Sequence, residues 1–578
     1  MSINNKTFSI IGISALFLYF FTLLVALLAW ITYGTIEEVF GMMAFLLLGG
    51  LNVYPWLIPF IGIPLGFLDF FQIFGVDMYH FTLSLSRIEG SWMTLLWYWI
   101  VSALSILLNI LFSLLIILKL RDLKYKEKGD KDSNLAFINC NIIDGKLESA
   151  ILKDGIILIQ NQVDEESGNN IGTIAFVGTK DDGTIPDDYK VIDLEGKYIL
   201  PGLINAHCHL TGSGKPMKIM NLSDEMMEFG AKLMKKRLIK HFLYRMIKKN
   251  AFNALNAGVT TLRAMSDPEY LDVKLRKAIN EGKVLGPRLI VAGKGICITG
   301  GHGGPMAYIA DSVPEIRKAI RKNLRNEVDF IKILSTGGVM DARKVGEAGR
   351  PQMTVEEIET ACQEAHRANL LVATHCESTE GLKEALKGGV DTIEHGAEIP
   401  DDLVEQLKNN PKSLRGYTAL IPTVSAGMGL ATLPPEETKI THVKFQNAIL
   451  VEKGLIQGLR KAYETGIVLG LGTDASVPYS THYGVWKELK YYLKYTDMSA
   501  QEAIYCATLG NAKIIGIEHI TGSIEKGKSA DMIVVKENPL EYINTLENVE
   551  KIIIRGKLIS TPKVKKVKNL KEIKPIEV

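Results

Sequence analysis

Residues 200–210 read LPGLINAHCHL, an apolar run that ends in two histidines, His207 and His209. Side chains alternate between the two faces of an extended strand, so the two imidazoles converge while Cys208 points elsewhere. A barrel of parallel strands carries its chemistry at the C-terminal ends of its strands, which is where this pair falls. The stretch therefore predicts a barrel strand that presents two metal ligands.

Four further polar residues stand at or just past the ends of short apolar runs. They are Lys332 in DFIKILSTGG, His375 in VATHCES, His395 in DTIEHGA and Asp474 in LGLGTDAS. One such histidine taken alone is by default a core residue, but a series of these positions in order along the chain is a ligand set. Imidazole and carboxylate groups suit zinc, with manganese or iron as alternatives. The pattern predicts a metal-dependent hydrolase.

Strand-like and helix-like runs alternate between residues 201 and 515. Eight strands in this alternation predict an α/β fold, a (β/α)8 TIM barrel. An open doubly wound sheet would need a glycine-rich dinucleotide turn after an early strand, and the sequence has none. The predicted strands are YILPGLINAH, GVTTLRAM, RLIVAGKG, DFIKILS, LLVATH, DTIEHG, TALIPTVS and GIVLGLGTD, and the predicted helices include PEIRKAIRKNLRNE, VEEIETACQEAHRAN and AQEAIYCATLGNAKIIG.

Two β-rich segments, 134–200 and 516–567, flank the barrel. Short apolar runs there are punctuated by glycines such as Gly155, Gly178 and Gly196, which is typical of small sheet hairpins. We expect the two segments to build one composite β-sandwich from both ends of the chain. A charged linker at 121–133 precedes them, and a basic, solvated tail at 568–578 follows.

The N-terminal region 1–120 is predicted to be an all-α transmembrane segment. Uncharged apolar runs cover 7–36, 39–68 and 91–118, and about 20 apolar residues suffice to cross a bilayer. A cleaved signal peptide is the alternative for the first run, which is long for that purpose. Basic residues follow the third run, so the positive-inside rule predicts a multi-pass protein of the cell membrane whose catalytic part faces the cytoplasm.

Composition narrows the function classes. The chain has 578 residues with a net charge of +2, which gives no electrostatic case for nucleic acid binding. Its mean hydropathy is +0.12, with the apolar excess concentrated at the N-terminus. Six cysteines are scattered without a paired motif, which favours a reducing compartment over a disulfide framework. Homo-oligomerisation is left open.

Lys332 lies within an otherwise apolar strand, VDFIKILS. The simple alternative is a lysine whose ammonium reaches out to solvent at the barrel rim. Burial would instead disfavour the charged form and lower its pKa. A neutral amine can add carbon dioxide to form a carbamate, an anionic group able to bridge two divalent metals. Asp474 would then be a metal ligand and a general base, unless it only caps the helix that follows.

The ordered motifs resemble the amidohydrolase superfamily, in its imidazolonepropionase-like and Xaa-Pro dipeptidase-like branch. The resemblance covers about 134–567 and rests on LPGLINAHCHL, GVTTLRAM, GGHGG, DFIKILSTGG, THCES, DTIEHG, LGTDAS and GSIEKGKSADMIVV. It implies a (β/α)8 barrel with a composite β-sandwich, a metal-activated water and a carboxylated Lys332. By position, it implies that one metal is held by His207, His209 and Asp474, and a second by His375 and His395, with Lys332 bridging.

The resemblance also implies substrate contacts. By analogy with the family, His302 in ITGGHGG would contact the substrate, through a carboxylate of the substrate. Arg263, at the end of the second strand, would be a similar substrate contact. His482 and Tyr479 follow Asp474 and would shape the pocket. Dipeptidases of the family can carry a substrate-binding tyrosine shortly after the sixth-loop PT, and PTVSAGMG has none. This departure argues against prolidase-type specificity, although not against hydrolysis.

The sequence thus predicts a membrane-anchored, metal-dependent amidohydrolase with two divalent ions. It would cleave an amide or other C–N bond of a small molecule, such as a dipeptide or an N-acyl amino acid, through a metal-bridging hydroxide. The alternative enzyme is a mononuclear deaminase or a cyclic-imide or imidazolonepropionase-type hydrolase. A non-catalytic membrane ligand receptor is the alternative of another class.

Overall fold

A computed structural model of the chain describes residues 133–163, 170–216 and 224–578. The three predicted membrane spans lie outside the described residues. Within the described ranges, no helix combines the length and the apolar character needed to cross a bilayer. The long helices Arg237–Asn256 and His442–Thr465 have one buried face and several charged side chains, as expected of helices packed on a protein core. The prediction of a multi-pass location in the cell membrane is therefore wrong for the part of the chain that the structure describes.

The described residues form seventeen strands and thirteen α-helices. The strands are β1 Leu135–Ile142, β2 Leu152–Val163, β3 Asn170–Gly178, β4 Lys190–Asp193, β5 Tyr198–Pro201, β6 Leu203–Cys208, β7 Val259–Ala264, β8 Arg288–Val291, β9 Ile296–Cys297, β10 Tyr308–Ile309, β11 Ile331–Leu334, β12 Val372–Cys376, β13 Thr392–His395, β14 Ala419–Ile421, β15 Met532–Val535, β16 Lys551–Ile554 and β17 Lys557–Ile559. The helices are α1 Asp224–Met234, α2 Arg237–Asn256, α3 Leu271–Asn280, α4 Val313–Arg325, α5 Val355–His366, α6 Thr379–Gly388, α7 Asp401–Lys408, α8 Val424–Thr432, α9 Pro435–Thr438, α10 His442–Thr465, α11 Val485–Tyr495, α12 Ala500–Tyr505 and α13 Asn511–Ile515.

Parallel strands form a closed ring, the arrangement of a (β/α)8 barrel. Strands β6, β7 and β8 pair in parallel, and so do β11, β12, β13 and β14. A hydrogen bond from Asp329 N to Val291 O, at 2.8 Å, links the two groups. An extended segment, 468–475, bridges β14 at Leu420–Leu469 and closes on β6 at Cys208–Ala475. All eight predicted barrel strands therefore take part in the ring.

Close backbone approach lets the extended segment 468–475 close the ring. A methyl group on Gly472 would lie 2.5 Å from the β-carbon of His207, and one on Gly470 would lie 2.4 Å from Ile421. Asn511 links β6 to the segment 468–475, because its side-chain amide donates to Ile204 O at 2.7 Å and to Leu471 O at 2.8 Å. The glycines in the predicted strand GIVLGLGTD are thus a packing requirement.

The second layer is an eight-stranded sheet drawn from both flanks of the ring. Its order is β17-β16-β15-β5-β1-β2-β3, and β4 pairs with β1. Strand β15 joins the two flanks through antiparallel pairing with β5. One face buries a compact apolar cluster whose members include Phe137, Ile157, Ile159, Ile174, Met532, Val534 and Ile553.

Two predicted elements are divided in the structure. The run YILPGLINAH is two strands, because β5 pairs in the sheet and β6 in the ring, with Gly202 between them. A methyl group at Gly202 would lie 2.1 Å from Thr260, so this crossing point has no room for a side chain. The predicted helix AQEAIYCATLGNAKIIG is α12 and α13, separated by a π-helical turn at Cys506–Gly510. Such turns are frequent at functional sites, and this one leads directly to Asn511, which closes the ring.

The C-terminal residues lie along the outside of the ring. Lys565 pairs through its backbone with the Asn253 side chain, at 2.7 and 3.2 Å, and the Tyr495 hydroxyl donates to Ile576 O at 2.8 Å. The predicted solvated tail 568–578 is thus tied to the fold at Ile576. The six cysteines are free and buried, as expected from their scattered spacing.

Candidate metal centre

The ends of the first and eighth ring strands bring three predicted ligands together. The Nε2 atoms of His207 and His209 lie 3.4 and 3.3 Å from the same Asp474 oxygen, Oδ1. One ligand atom from each of the three residues lies within 4.8 Å of the other two. Backbone pairing sets this approach, because the N–H groups of Thr473 and Asp474 both donate to His207 O.

The other two predicted histidines continue from this cluster across the ring. The ring of His207 is 4.8 Å from that of His395, and His395 is 4.6 Å from His375, measured between ring centroids. His302 stacks on the far side of His375 at 4.1 Å. The strands therefore collect all five imidazoles, including His209, into one continuous row.

Lys332 lies close to this row, because its charge acts on His209, His302, His375 and His395. Its side chain is 2 % exposed, so the alternative of an ammonium that reaches solvent is wrong. Its Nζ has no hydrogen-bond partner among the described residues. Burial lowers the pKa of Lys332 to about 8. Its positive charge in turn contributes to lowering the pKa of His375 and of His395.

Two of the predicted ligands have unusual backbone conformations. His395 has φ 70° and Asp474 has φ 48°, values in the left-handed region that side chains other than glycine rarely adopt. Strained backbone of this kind is concentrated at functional sites.

The carboxyl of Asp474 is held in its ionised form. Burial opposes its ionisation, but the nearby imidazoles of His207, His209 and His395 hold the pKa of this carboxyl well below the usual range.

A second layer of polar groups orients the histidines. The Nδ1 atom of His207 lies 2.7 Å from Glu394 Oε2, that of His209 lies 2.9 Å from Ser266 O, and that of His395 lies 2.7 Å from Thr423 Oγ1. Metal-bound histidines generally hold a carboxylate, carbonyl or hydroxyl through the ring nitrogen that faces away from the metal. These contacts leave Nε2 of all three rings for the centre of the site.

His375 is oriented the other way round. Its Nε2 lies 3.3 Å from Gly337 O and 3.9 Å from Glu377 Oε1. The nitrogen left for the centre of the site is therefore Nδ1. Burial, followed by the charges of His302, His395 and Lys332, lowers the pKa of His375 well below its usual value, so the neutral, ligating form is favoured.

Glu394 was not predicted and is the most deeply held acid of the site. It is fully buried, and it accepts hydrogen bonds from Thr392 Oγ1 at 2.5 Å and from Arg263 Nη2 at 3.3 Å. Burial alone would raise its pKa, but Arg263 and His207 outweigh that effect and lower the pKa of Glu394 to about 2. The available signal was an acidic residue inside the buried run DTIEHG, directly before a predicted ligand.

The structure gives Arg263 different partners from those predicted. Its guanidinium is buried, donates to Thr392 Oγ1 at 2.8 Å and to Glu394, and lies 4.5 Å from the centre of the Phe330 ring. This position is behind His207, one layer away from the row of imidazoles. A direct substrate contact therefore has no support from the geometry, and Arg263 instead holds the carboxylate that orients His207.

His302 lies at the more open side of the site. Its side chain is 26 % exposed, and its Nδ1 is hydrogen-bonded to Asp341, which is 36 % exposed. Burial opposes protonation, but the hydrogen bond and charge of Asp341 prevail and raise the pKa of His302. An imidazole whose protonated form is favoured fits the predicted contact with an anionic part of the substrate. Asp341 was not predicted.

The loop after Asp474 contributes packing around the site. His482 Nε2 lies 2.9 Å from Gly212 O, and burial lowers the pKa of His482 to about 4. Tyr479 packs so closely on α8 that a methyl group at Gly429 would lie 2.7 Å from its ring. A tyrosine therefore lies beside PTVSAGMG, although that segment carries none of its own.

Comparison with protein families decides the class of the chain. The model of the amidohydrolase family matches residues 198–559, which include the ring and every predicted ligand. The chain belongs to the amidohydrolase family. This confirms the predicted superfamily and the α/β fold of that type, and an amidohydrolase is a hydrolase that acts on carbon–nitrogen bonds. The alternative of a non-catalytic receptor is thereby wrong.

Individual amidohydrolases are similar to this chain over most of their length. The ochratoxinase of Aspergillus niger is 25 % identical to it, and the match covers 67 % of this chain and 81 % of the ochratoxinase. The crystal structure of a Bifidobacterium longum protein assigned as a prolidase is 35 % identical, covers 76 % of this chain and 97 % of that one, and has a TM-score of 0.66. The structure of a Xaa-Pro dipeptidase with methionine bound in its active site is 31 % identical to this chain. The match covers 74 % of this chain and 100 % of the dipeptidase, with a TM-score of 0.61.

The donors at the site fit divalent metal ions. Neutral imidazoles and one carboxylate are the groups that hold zinc in proteins. Two buried polar atoms at the centre, Lys332 Nζ and Asp474 Oδ1, have no hydrogen-bond partner among the described residues. Buried polar atoms normally have partners, so these two are explained if a bound ion and a modified lysine complete the site.

We expect Glu394→Gln to weaken zinc binding by roughly 10- to 100-fold, the usual effect of losing an outer carboxylate from a metal-bound histidine. The amide cannot hold His207 as strongly, and it leaves the buried Arg263 without its negative partner. Competition with a chromophoric chelator would measure the affinity. Glu364→Gln, which removes a carboxylate paired with Arg321 away from the site, is the matched control. Equal zinc affinity in the two variants would contradict the assignment of Glu394.

Proposed function

We propose that this amidohydrolase is a binuclear enzyme that cleaves an amide or other C–N bond of a small molecule, such as a dipeptide or an N-acyl amino acid. The observation that carries the proposal is the buried amine of Lys332, which lies beside the row of imidazoles and has no hydrogen-bond partner among the described residues. With its pKa lowered to about 8, roughly a tenth of this amine is neutral at pH 7, far more than for an ordinary lysine. Only the neutral amine can add carbon dioxide.

Two divalent ions would be held by two sets of residues that share one bridging group. The donor atoms favour zinc as the metal. His207, His209 and Asp474 would hold one, His375 and His395 the other, and carboxylated Lys332 would bridge them. When bound, such ions lower the pKa of water towards about 7 and polarise a carbonyl oxygen. Burial of His207, His375, His395 and Lys332 strengthens these interactions.

The residues of the chain have distinct tasks in this reaction. Asp474 is held ionised, so it can take the proton of the attacking water and pass it to the leaving nitrogen. His302, whose protonated form is favoured by Asp341, would hold a carboxylate of the substrate at the open side. Glu394 and Arg263 keep His207 in one orientation throughout.

A mononuclear deaminase or cyclic-imide hydrolase is the second candidate. It is favoured by the tight grouping of His207, His209 and Asp474, which meets the distance expected of one ion. In that case Lys332 would stay unmodified. The number of zinc ions per chain separates the two proposals.

A substrate panel tests the proposed function. The panel holds dipeptides, N-acyl amino acids and lactams, and we expect the purified, zinc-loaded chain to hydrolyse at least one of the first two classes, with about two zinc ions per chain. Mass spectrometry of the products and elemental analysis of the protein would measure this. Hydrolysis confined to lactams, or release of ammonia from amines with one zinc per chain, would favour the second candidate. No product in any class would contradict both.

A further inference from the structure

His395 has the least rigid outer partner among the histidines of the metal centre. The ring nitrogens of His209 and His375 that face away from the centre lie beside backbone carbonyl oxygens. The corresponding nitrogen of His395 lies 2.7 Å from a side-chain hydroxyl, Thr423 Oγ1. A hydroxyl holds its partner only while the side chain stays in one rotamer. The orientation of His395 therefore depends on what fixes Thr423.

Thr423 is also the N-cap residue of α8. A threonine at this position usually accepts a hydrogen bond from a backbone N–H of the first helical turn. The Thr423 side chain accepts no such bond from the described residues of α8, and it is fully buried beside His395. The first turn of α8 therefore needs an acceptor from elsewhere, since a buried N–H without a partner is costly.

Glu488, on the neighbouring helix α11, supplies that acceptor. Its Oε1 accepts from Val424 N at 2.7 Å, and its Oε2 accepts from Ser425 N at 2.8 Å. The side chain is fully buried, so bulk water does not compete for these two N–H groups. Glu488 thus caps α8 from a different helix, immediately beside the residue that holds His395.

The capping contacts do not depend on the charge of Glu488. Burial raises its pKa to about 8, and the hydrogen bonds with Ser425 and Val424 oppose this effect only in part. A protonated carboxyl keeps a lone pair on each oxygen and can still accept at both. The two N–H groups are therefore satisfied on either side of this pKa, whereas the amide of a glutamine has only one acceptor atom.

We propose that Glu488 is a positioning residue of the metal centre, because it caps α8 and so leaves the Thr423 hydroxyl free to hold His395. This inference rests on the metal centre of the proposed function and assigns a residue that the proposed function does not use. Without both acceptor oxygens of Glu488, the Thr423 side chain can turn to cap α8 itself. His395 would then lose its outer partner.

Zinc affinity in a double-mutant cycle tests this inference. Glu488→Gln keeps the size of the side chain but places an NH2 group against one of the two N–H groups. We expect it to weaken zinc binding roughly 10-fold, the effect of losing an outer partner of a metal-bound histidine. Thr423→Val should weaken binding by a similar factor. The double variant should be no weaker than either single one, because both changes remove the same hydrogen bond. Competition with a chromophoric chelator measures the affinities.

The absorption spectrum of the cobalt-loaded chain is the second measurement, because it reports the ligands of the metal rather than the stability of the fold. We expect it to change in the same way in Glu488→Gln and in Thr423→Val. Glu502→Gln is the matched control, since Glu502 accepts from Ser499 N at 2.7 Å and caps α12 instead. Glu488→Asp, whose carboxyl is shorter by one methylene group, takes the place of Glu488→Gln in the cycle if the latter does not fold.

The outcomes separate this inference from the proposed function. Losses of affinity that add up in the double variant would overturn the inference, because Glu488 would then act only through the fold. So would an unchanged zinc affinity and cobalt spectrum in Glu488→Gln. A chain that follows the expected cycle yet cleaves no amide supports the inference and contradicts the proposed function. A chain that cleaves amides while the two losses add does the reverse, and a chain that binds no zinc contradicts both.

Discussion

Lys332→Ala is expected to abolish most hydrolysis and to remove at least one equivalent of bound zinc. The methyl group cannot form a carbamate, so the two proposed ion positions lose the group that joins them. Losing several kcal/mol of charge stabilisation at the reacting atoms lowers kcat/KM by roughly 100-fold or more. The measurements are turnover of the best substrate in the panel and zinc content by elemental analysis.

The fold should tolerate this change. The Lys332 amine is buried and has no hydrogen-bond partner within the described part of the chain, so its removal takes away a polar group that the protein interior disfavours. We therefore expect the unfolding temperature of the zinc-free variant to be no lower than that of the zinc-free wild type. Lys344→Ala, on an exposed loop, is the control for loss of a lysine. Full zinc content together with full turnover in Lys332→Ala would refute the bridging role.

Local sequence patterns were sufficient to predict the ring. Each of its strands is a short apolar run, and parallel strands buried on both faces are expected to read in this way. The C-terminal ends of such strands meet at one face, so the histidines at those ends could be expected to converge. This is why His207, His375 and His395 were predicted and lie in contact with one another.

The second layer of the site could not be predicted in the same way. Arg263 and Glu394 are 131 residues apart, and their pairing depends on the closure of the ring rather than on any local pattern. An arginine at a strand end looks the same in sequence whether it faces a substrate or a buried carboxylate. Glu377 and Asp341 were missed for the same reason, since only packing shows which acid has a partner.

Divided elements show a second limit of sequence reasoning. The run YILPGLINAH has one continuous apolar pattern, yet its two halves pair in different sheets on either side of Gly202. Hydrophobic periodicity reports burial and not the identity of the partner strand. The π-helical turn at Cys506–Gly510 is similarly invisible, because a single wider turn inside a helix leaves no mark of its own in the hydrophobic pattern.

We expect Asp474→Asn to lower kcat by roughly 1,000-fold, within the range for loss of a positioned general base. The amide has nearly the same shape and can occupy the same space between His207 and His209, but it cannot take up a proton near neutral pH. It is also a weaker ligand, so zinc affinity should fall as well. Measuring kcat at saturating zinc separates the two effects, because restored occupancy would not restore a base.

The backbone at this position makes asparagine an appropriate replacement. Asp474 has φ 48°, and asparagine is among the few residues other than glycine that tolerate such a conformation. Alanine would add backbone strain to the loss of the carboxylate and confuse the result. Asp401→Asn, at an exposed helix start, serves as the control for the substitution itself. If zinc-saturated Asp474→Asn retains kcat within about 10-fold of the wild type, the proton is carried by another group. His302 would then be the next residue to replace, since it lies at the open side of the site and can carry a proton.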